Sequence, residues 1–263
     1  RVESPLFVGP IAGGIRMQMI HRAALGLALL LAATAADALT ATELVAKNIE
    51  AKGGAAALQA VKSVQREGRL IVNGGQFVLE LRETKQRPDS IRTEISMQGL
   101  SQVQAYDGKE GWRIDPFGGR KDPERMPADD VKEYAEDATI DGVLADAVAA
   151  GSSVEYLGTE DIDGTLAHKL KVVRKDGGLQ YVYLDPDYFL EIRVESQRFV
   201  RGVKRTSVTD FGNYEKVGGV FWPLSIESGI KGAGDPAKFE YRSAVVNPEI
   251  VPGYFSFPVT VKQ

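Results

Sequence analysis

The sequence contains no cysteine and only two histidines, His21 and His168. The lack of cysteine excludes a disulfide scaffold, a thiol nucleophile and a lipid anchor attached through a cysteine. Two histidines cannot build the usual Cys/His zinc sites, and the sequence has no Gly-x-Ser-x-Gly motif to supply a serine nucleophile. We therefore predict that the chain is not an enzyme and that it holds neither a metal nor another cofactor.

Basic charge and long apolar runs are limited as well. The chain has 32 lysines and arginines against 36 aspartates and glutamates, so it lacks the basic footprint of a nucleic-acid-binding protein. The apolar run at residues 23–33 is shorter than the about 20 residues of a membrane-spanning helix. We expect neither a nucleic-acid partner nor a membrane-spanning segment.

That apolar run is typical of an export signal. It follows a short basic start at residues 21–22 and precedes Ala-Asp-Ala at residues 36–38, which fits a signal-peptidase site. The Ala-Thr-Ala at residues 33–35 is a competing site. We predict a signal peptide at residues 19–38, cleavage near Leu39 and a periplasmic protein without a lipid anchor.

The remaining length suits one domain. Residues 1–18 do not begin with methionine and show no periodicity, so we interpret them as sequence upstream of the true start. Residues 39–263 are enough for one well-buried core and few for two. We predict a single domain over residues 39–263.

The pattern after residue 39 predicts a mainly β protein with a few helices. The Thr-Ala-Thr-Glu at residues 40–43 has the spacing of a capping box, and a second short helix follows at residues 55–61. A helical pattern returns at residues 127–151, between Pro127 and Gly151. Elsewhere apolar residues alternate with polar ones and turn pairs separate the segments, which indicates about ten or eleven strands in an antiparallel sheet curled around the helices.

The stretch AYDGKEGWRIDPFGG, residues 105–119, has three possible interpretations. A phosphate loop would need glycines leading directly into a helix, but Trp112 begins a strand-like alternation. A glycosidase site would use Asp107, Glu110 and Asp115, but nothing in the sequence separates their pKa values. A hairpin that turns at Asp107-Gly108 is the interpretation that the local pattern favours.

Two other candidate sites have structural explanations. His168 alternates with apolar residues, and we expect it to pack as a hydrogen-bonded side chain on the inner face of a strand. The Asp-Ile-Asp-Gly at residues 161–164 is similar to the start of a calcium loop, but Val172 stands where the bidentate glutamate is required. We predict a hairpin turn there.

Three segments together resemble a known family, the periplasmic lipoprotein carriers LolA and LolB. They are Gln-Arg-Pro at residues 86–88, DGKEGWRIDPF at residues 107–117 and YVYLDPDYFLEIRVES at residues 181–196. The resemblance implies a strongly curved antiparallel sheet, an incomplete barrel closed by helices around an apolar cavity for acyl chains. The sequence departs from the family pattern in two respects. Residues 90–97 are more polar than the matching aromatic-rich strand of the carriers, and the chain is longer than a typical carrier.

The resemblance also implies site residues. In the carriers, the arginine that matches Arg87 lies near the cavity mouth and hydrogen-bonds the helical lid, so we expect Arg87 to act as a latch. The candidate lining of the cavity consists of apolar residues from the strands and hairpins that follow the first two helices: Phe77, Leu79, Leu81, Ile91, Ile95, Met97, Trp112 and Phe117.

Three functional hypotheses follow. The first is a monomeric periplasmic carrier of lipoprotein acyl chains or another lipid, which exchanges cargo with inner- and outer-membrane transport proteins. The second is an envelope sensor or binding module for lipids or lipoproteins that does not carry them. The third, a secreted hydrolase, is disfavoured because no nucleophile and base are paired. Lipid that co-purifies with the protein would separate the first two hypotheses from the third.

Overall fold

A computed structural model describes residues 39–175, 177–200 and 203–258, with the side chains of residues 199 and 200 excepted. The predicted signal peptide and residues 1–18 lie outside the described residues. Among the helices of the described part, none is both long and apolar enough to span a membrane.

Four helices form where the sequence predicts helical segments. Thr40 caps the first helix, since its hydroxyl accepts the Glu43 N–H at 3.2 Å and the Glu43 carboxylate accepts the Thr40 N–H at 2.8 Å. The predicted capping box is therefore confirmed. The helices are α1 Ala41–Ala51, α2 Ala55–Ala60, α3 Ala128–Glu136 and α4 Val143–Ala149.

The strands pair into one antiparallel sheet that is curved and does not close. Its thirteen strands lie in the order β6-β5-β4-β3-β2-β1-β13-β12-β11-β10-β9-β8-β7, so β1 pairs with β13 and the two edges are β6 and β7. The strands are β1 Ser63–Val72, β2 Phe77–Gln86, β3 Ser90–Met97, β4 Leu100–Asp107, β5 Gly111–Asp115, β6 Arg120–Arg125, β7 Ser153–Ile162, β8 Thr165–Val173, β9 Leu179–Leu184, β10 Glu191–Val200, β11 Val203–Val217, β12 Val220–Ile230 and β13 Ala237–Val246.

The fold class is as predicted, but the strand count is higher than the expected ten or eleven. β6 is one strand that the sequence pattern does not indicate, because Arg120–Arg125 reads RKDPER and includes a proline. Proline and charged residues are tolerated on an edge strand, where one row of backbone groups faces solvent. Sequence alternation alone does not detect such a strand.

The buried apolar residues form separate clusters between the sheet and the helices. One cluster packs Leu58 of α2 against β1, β2, β12 and β13, and includes Leu81 and Trp222. A second packs α1 and α4 against β8, β9 and β10, around Leu44 and Leu170. Because the two clusters meet different parts of one curved sheet, the helices can cover the sheet and still leave space beneath them.

Candidate functional site: a cavity with an apolar wall and a charged wall

The space between the sheet and the helices is a cavity of about 500 Å³. This volume lies within the range of small-molecule pockets, about 300–1,000 Å³. Large apolar side chains from β3, β10–β13, the start of α4 and the segment before it form much of its wall: Ile91, Ile95, Ile140, Val143, Val194, Phe211, Phe221, Trp222, Ile226 and Phe239. A wall of this kind can accept a hydrocarbon chain.

Two of the residues predicted from the sequence, Ile91 and Ile95, line this cavity. Leu79 and Leu81 belong instead to the packed cluster beside α2, and Met97 packs against that cluster. Leu81 is the cross-strand partner of Ile95. The alternation of β2 and β3 thus identifies the inner face of the sheet, but it does not distinguish a side chain packed under a helix from one that borders empty space.

The three predicted aromatic residues lie away from the cavity. Phe77 begins β2 and Phe117 occupies the turn between β5 and β6, and their side chains are 45% and 39% exposed. Both stand at hairpin ends, beyond the reach of the covering helices. Trp112 is buried in a third cluster, and its indole N–H donates to the carbonyl of Phe255 at 2.8 Å. Trp112 therefore anchors the C-terminal segment to β5.

Arg87 follows the end of β2 and connects the sheet to two helical segments. Its Nε donates to the carbonyl of Val61 at 2.8 Å and an Nη donates to the carbonyl of Leu58 at 3.1 Å, both at the end of α2. The guanidinium also pairs with the carboxylate of Asp141, between α3 and α4, with one N–O distance of 2.7 Å. The hydrogen bond with Asp141 raises the pKa of Arg87.

A charged wall, whose residues are absent from the predicted lining, lies beside the apolar one on the same sheet. Arg66 of β1 is buried, and its Nε and Nη2 donate to Oε1 of Glu83 in β2 at 3.2 and 2.6 Å. Its Nη1 donates to the carbonyl of Pro223 at 3.1 Å, and the guanidinium lies 3.9 Å from the centroid of the Tyr241 ring. All of these groups border the cavity.

The charge of Glu83 is set by its neighbours. Burial alone would raise the pKa of Glu83, but the charges of Arg66 and Lys85, with hydrogen bonds from Arg66 and Tyr241, lower it to about 2. The carboxylate is therefore ionised at neutral pH. The sequence contains a signal for this pair. Residues two apart in a strand lie on the same face, so Arg66 shares the inner face with Val64, and Glu83 shares it with Leu81.

Asp137, directly after α3, also lines the cavity. Desolvation of its carboxylate raises the pKa to about 6; Lys85 opposes this rise, and Glu83 and Glu136 add to it. The side chain nevertheless exposes surface. Both observations fit a carboxylate that lies among protein groups and exposes its surface to the cavity.

A third part of the wall consists of small hydroxyl side chains. Ser196, Ser207, Thr209 and Ser228 border the cavity on β10, β11 and β12. Thr209 and Ser228 share a hydrogen bond of 3.0 Å, and Ser196 accepts one from Gln180 at 3.2 Å. Short side chains at these positions leave volume that bulkier residues would fill.

The other motifs singled out in the sequence have structural roles. Asp107 accepts the backbone N–H groups of Lys109 and Glu110 at 3.0 and 2.9 Å, which confirms the predicted hairpin. Asp161 accepts the Gly164 N–H at 3.1 Å in the turn between β7 and β8, as predicted.

His168 is packed and hydrogen-bonded in the described structure. Its Nδ1 lies 2.9 Å from the Tyr156 hydroxyl, and its ring stacks on Phe189 with centroids 5.9 Å apart. Burial lowers the pKa of His168. Over the described ranges, no three histidine, aspartate or glutamate side chains come together in an arrangement that could hold a metal ion.

No protein-family model matches the sequence, and neither does any curated protein. Solved structures, however, share this architecture.

A LolA superfamily protein from Nitrosomonas europaea is 15% identical, with a TM-score of 0.55, and the match covers 83% of this chain and 98% of that one. A DUF1329 family protein from Desulfovibrio piger is 12% identical, with a TM-score of 0.57, over 82% and 96% of the two chains. A domain assigned as an outer membrane lipoprotein-sorting protein, from Vibrio parahaemolyticus, is 14% identical, with a TM-score of 0.53, over 81% and 97%. The chain thus has the fold of the LolA superfamily and of outer membrane lipoprotein-sorting domains, as its sequence motifs predicted.

Proposed function

We propose that this protein is a periplasmic carrier that binds the acyl chains of a lipoprotein, or of another lipid, in the cavity for transfer towards the outer membrane. The observation that carries the proposal is a cavity of about 500 Å³ whose wall contains Ile91, Ile95 and Phe239 and lies under helices. Lipoprotein-sorting domains share this fold. Membrane transport proteins that load and unload it are the expected partners.

The energetics of hydrocarbon burial fit a carrier. Each buried methylene contributes about 0.8 kcal/mol, so about ten methylenes contribute roughly 8 kcal/mol. Association costs about 4–15 kcal/mol in lost freedom of motion. The two terms are comparable, and a chain held in such a cavity can therefore be both retained and released.

The contacts of Arg87 support a latch in this cycle. Its bonds to the carbonyls of Leu58 and Val61 and to Asp141 hold α2 and the α3–α4 segment against the end of β2. Cargo that separates these elements must break the bonds, and release restores them. A non-catalytic role is also consistent with His168, which packs between aromatic rings.

The proposal can be tested with a substitution that reduces the volume of the cavity. Ser207 lines the cavity, and its neighbour Thr206 has the opposite strand parity. We expect Ser207→Trp to weaken binding of a fluorescent fatty acid by about tenfold, since several methylenes lose their site. Thr206→Trp is the matched control and should bind like the parent.

Mass spectrometry of lipid that co-purifies with the parent and with both variants gives an independent measurement. Co-purified lipid should decrease in Ser207→Trp alone. If both folded variants and the parent bind the probe equally, the cavity is not the binding site and the proposal fails.

A further inference from the structure

The basic side chains that line the cavity each pair with a carboxylate. Lys52 donates to Glu191 at 3.1 Å, and Arg66 binds Glu83. Arg198 pairs with Glu136. A ligand phosphate or carboxylate that enters would have to displace one of these partners.

Lys85 is engaged as well. Its Nζ donates to the carbonyl of Thr139 at 3.3 Å and lies 3.7 Å from the carboxylate of Glu83. The ammonium group therefore neutralises an existing charge and is not held free for an anion.

Asp137 is a charged residue of the cavity wall whose carboxylate is not paired in this way. Within the described residues, its carboxylate makes neither a hydrogen bond nor an ion pair, although it borders the cavity. The acids that face it, Glu83 from β2 and Glu136 from α3, are already paired with arginines. The basic groups that face it, Lys85 from β2 and Arg198 from β10, are the partners of those same acids. Asp137 therefore presents an unpartnered carboxylate to the cavity, where a cation from a ligand could pair with it.

The apolar wall borders the same cavity. Ile95, Ile226 and Phe239 offer hydrocarbon contacts to a chain whose polar end lies at Asp137. The ligand that complements both walls has an alkyl chain and a cationic head that can donate hydrogen bonds.

We propose that the cavity selects an amphiphile whose polar end carries a protonated amine, and that Asp137 binds this amine. The proposal rests on the proposed carrier function and adds the class of headgroup. Asp137 is the specificity-determining residue, and the apolar wall provides affinity for the chain irrespective of the head.

The test compares three probes with the same twelve-carbon chain, below their micelle concentrations: dodecylammonium, dodecanoate and a nonionic dodecyl ether of tetraethylene glycol. Calorimetry should show dodecylammonium binding about tenfold or more tightly than the other two, because a hydrogen bond to a charged group contributes that factor. Asp137→Asn should remove the preference and leave binding of the nonionic ether unchanged.

The variants are chosen so that folding is preserved. Asp137 directly follows the helix C-terminus, where a negative charge is unfavourable, so the change to asparagine does not weaken α3. Asp129→Asn is the matched control, since Asp129 is exposed in the first turn of the same helix and lies outside the cavity wall. It should keep the full preference, which excludes a general attraction of cations to an acidic surface.

The outcomes separate the two proposals. If none of the probes binds, the carrier function fails and the headgroup proposal fails with it. If all three bind equally, or if Asp137→Asn keeps the preference, the carrier function stands and the headgroup proposal is overturned.

Selective binding should also weaken as the pH falls through about 6, where Asp137 becomes protonated.

Discussion

Arg66 and Glu83 illustrate, at the residue scale, how a charged pair is kept inside a mainly apolar interior. The guanidinium donates to Glu83 and to the carbonyl of Pro223, and its face lies against the ring of Tyr241. Tyr241 in turn donates to the second carboxylate oxygen of Glu83 at 3.3 Å. Such a network stabilises the fold only while it is complete.

We expect Glu83→Gln to lower the free energy of unfolding by about 3 kcal/mol, because it leaves Arg66 buried without a counter-charge. Glu67→Gln is the control, since Glu67 pairs with Arg82 on the surface and both side chains are nearly half exposed. That change should cost at most about 0.5 kcal/mol. Urea unfolding of both variants measures the difference, and equal losses would show that the buried pair has no special importance.

At the scale of helices and strands, the partly buried Arg87 connects several elements. The residues that it contacts belong to α2 and to the segment between α3 and α4. The helices are short, and helices of this length depend on tertiary contacts rather than on their own hydrogen bonds. Loss of one anchor should therefore loosen both segments together.

Arg87→Leu should accelerate amide hydrogen exchange at residues 55–61 and 139–149, and lower the free energy of unfolding by about 1–3 kcal/mol. The same variant should take up an acyl probe but release it more slowly, because closure no longer regains these bonds. Arg120→Leu removes a surface arginine whose partners are Asp115 and Glu124, and it serves as the control. Unchanged exchange in Arg87→Leu would contradict the role as a latch.

Many of these elements are predictable from the sequence because their causes are local. The capping box at Thr40 and the turn at Asp107 depend on residues three or fewer positions apart. The inner face of β2 and β3 follows from alternation. The cavity does not, because whether Leu81 packs under a helix while Ile95 borders a void depends on where α2 and α3 lie. The positions of these helices are set by contacts between residues that are distant in sequence. For the same reason the surroundings of Asp137, which come from β2 and β10, cannot be predicted from the sequence near it.

For the whole molecule, the carboxylates with shifted pKa values predict how stability changes with pH. Asp137 and Asp146 have pKa values raised to about 6, chiefly by desolvation. Their ionised forms oppose folding, so stability should rise as the pH falls through about 6 towards the ordinary carboxyl pKa of 3.8. Glu83 acts in the opposite sense, since its pKa is lowered to about 2 from 4.5, and its contribution is lost as the pH falls below 4.5.

We therefore expect the melting temperature to be highest between about pH 3.8 and 4.5 and to decrease as the pH rises to about 6. Asp137→Asn should flatten this decrease and leave the acid side of the profile unchanged. Thermal unfolding followed by circular dichroism across this range provides the measurement. A profile that rises steadily from pH 5 to 8 would contradict the assignment.

The unclosed sheet has a further consequence, which concerns how the protein behaves at high concentration. Two edges with unpaired backbone groups are templates on which a second chain could add a strand. In β6, Pro123 removes one donor and arginines and acids crowd the strand. In β7 the pairing register breaks between Tyr156 and Thr159, around Gly158, which has a φ of +92°. An edge strand that contains a proline and an edge strand with a kink do not match each other, so we expect the unclosed sheet not to form end-to-end polymers.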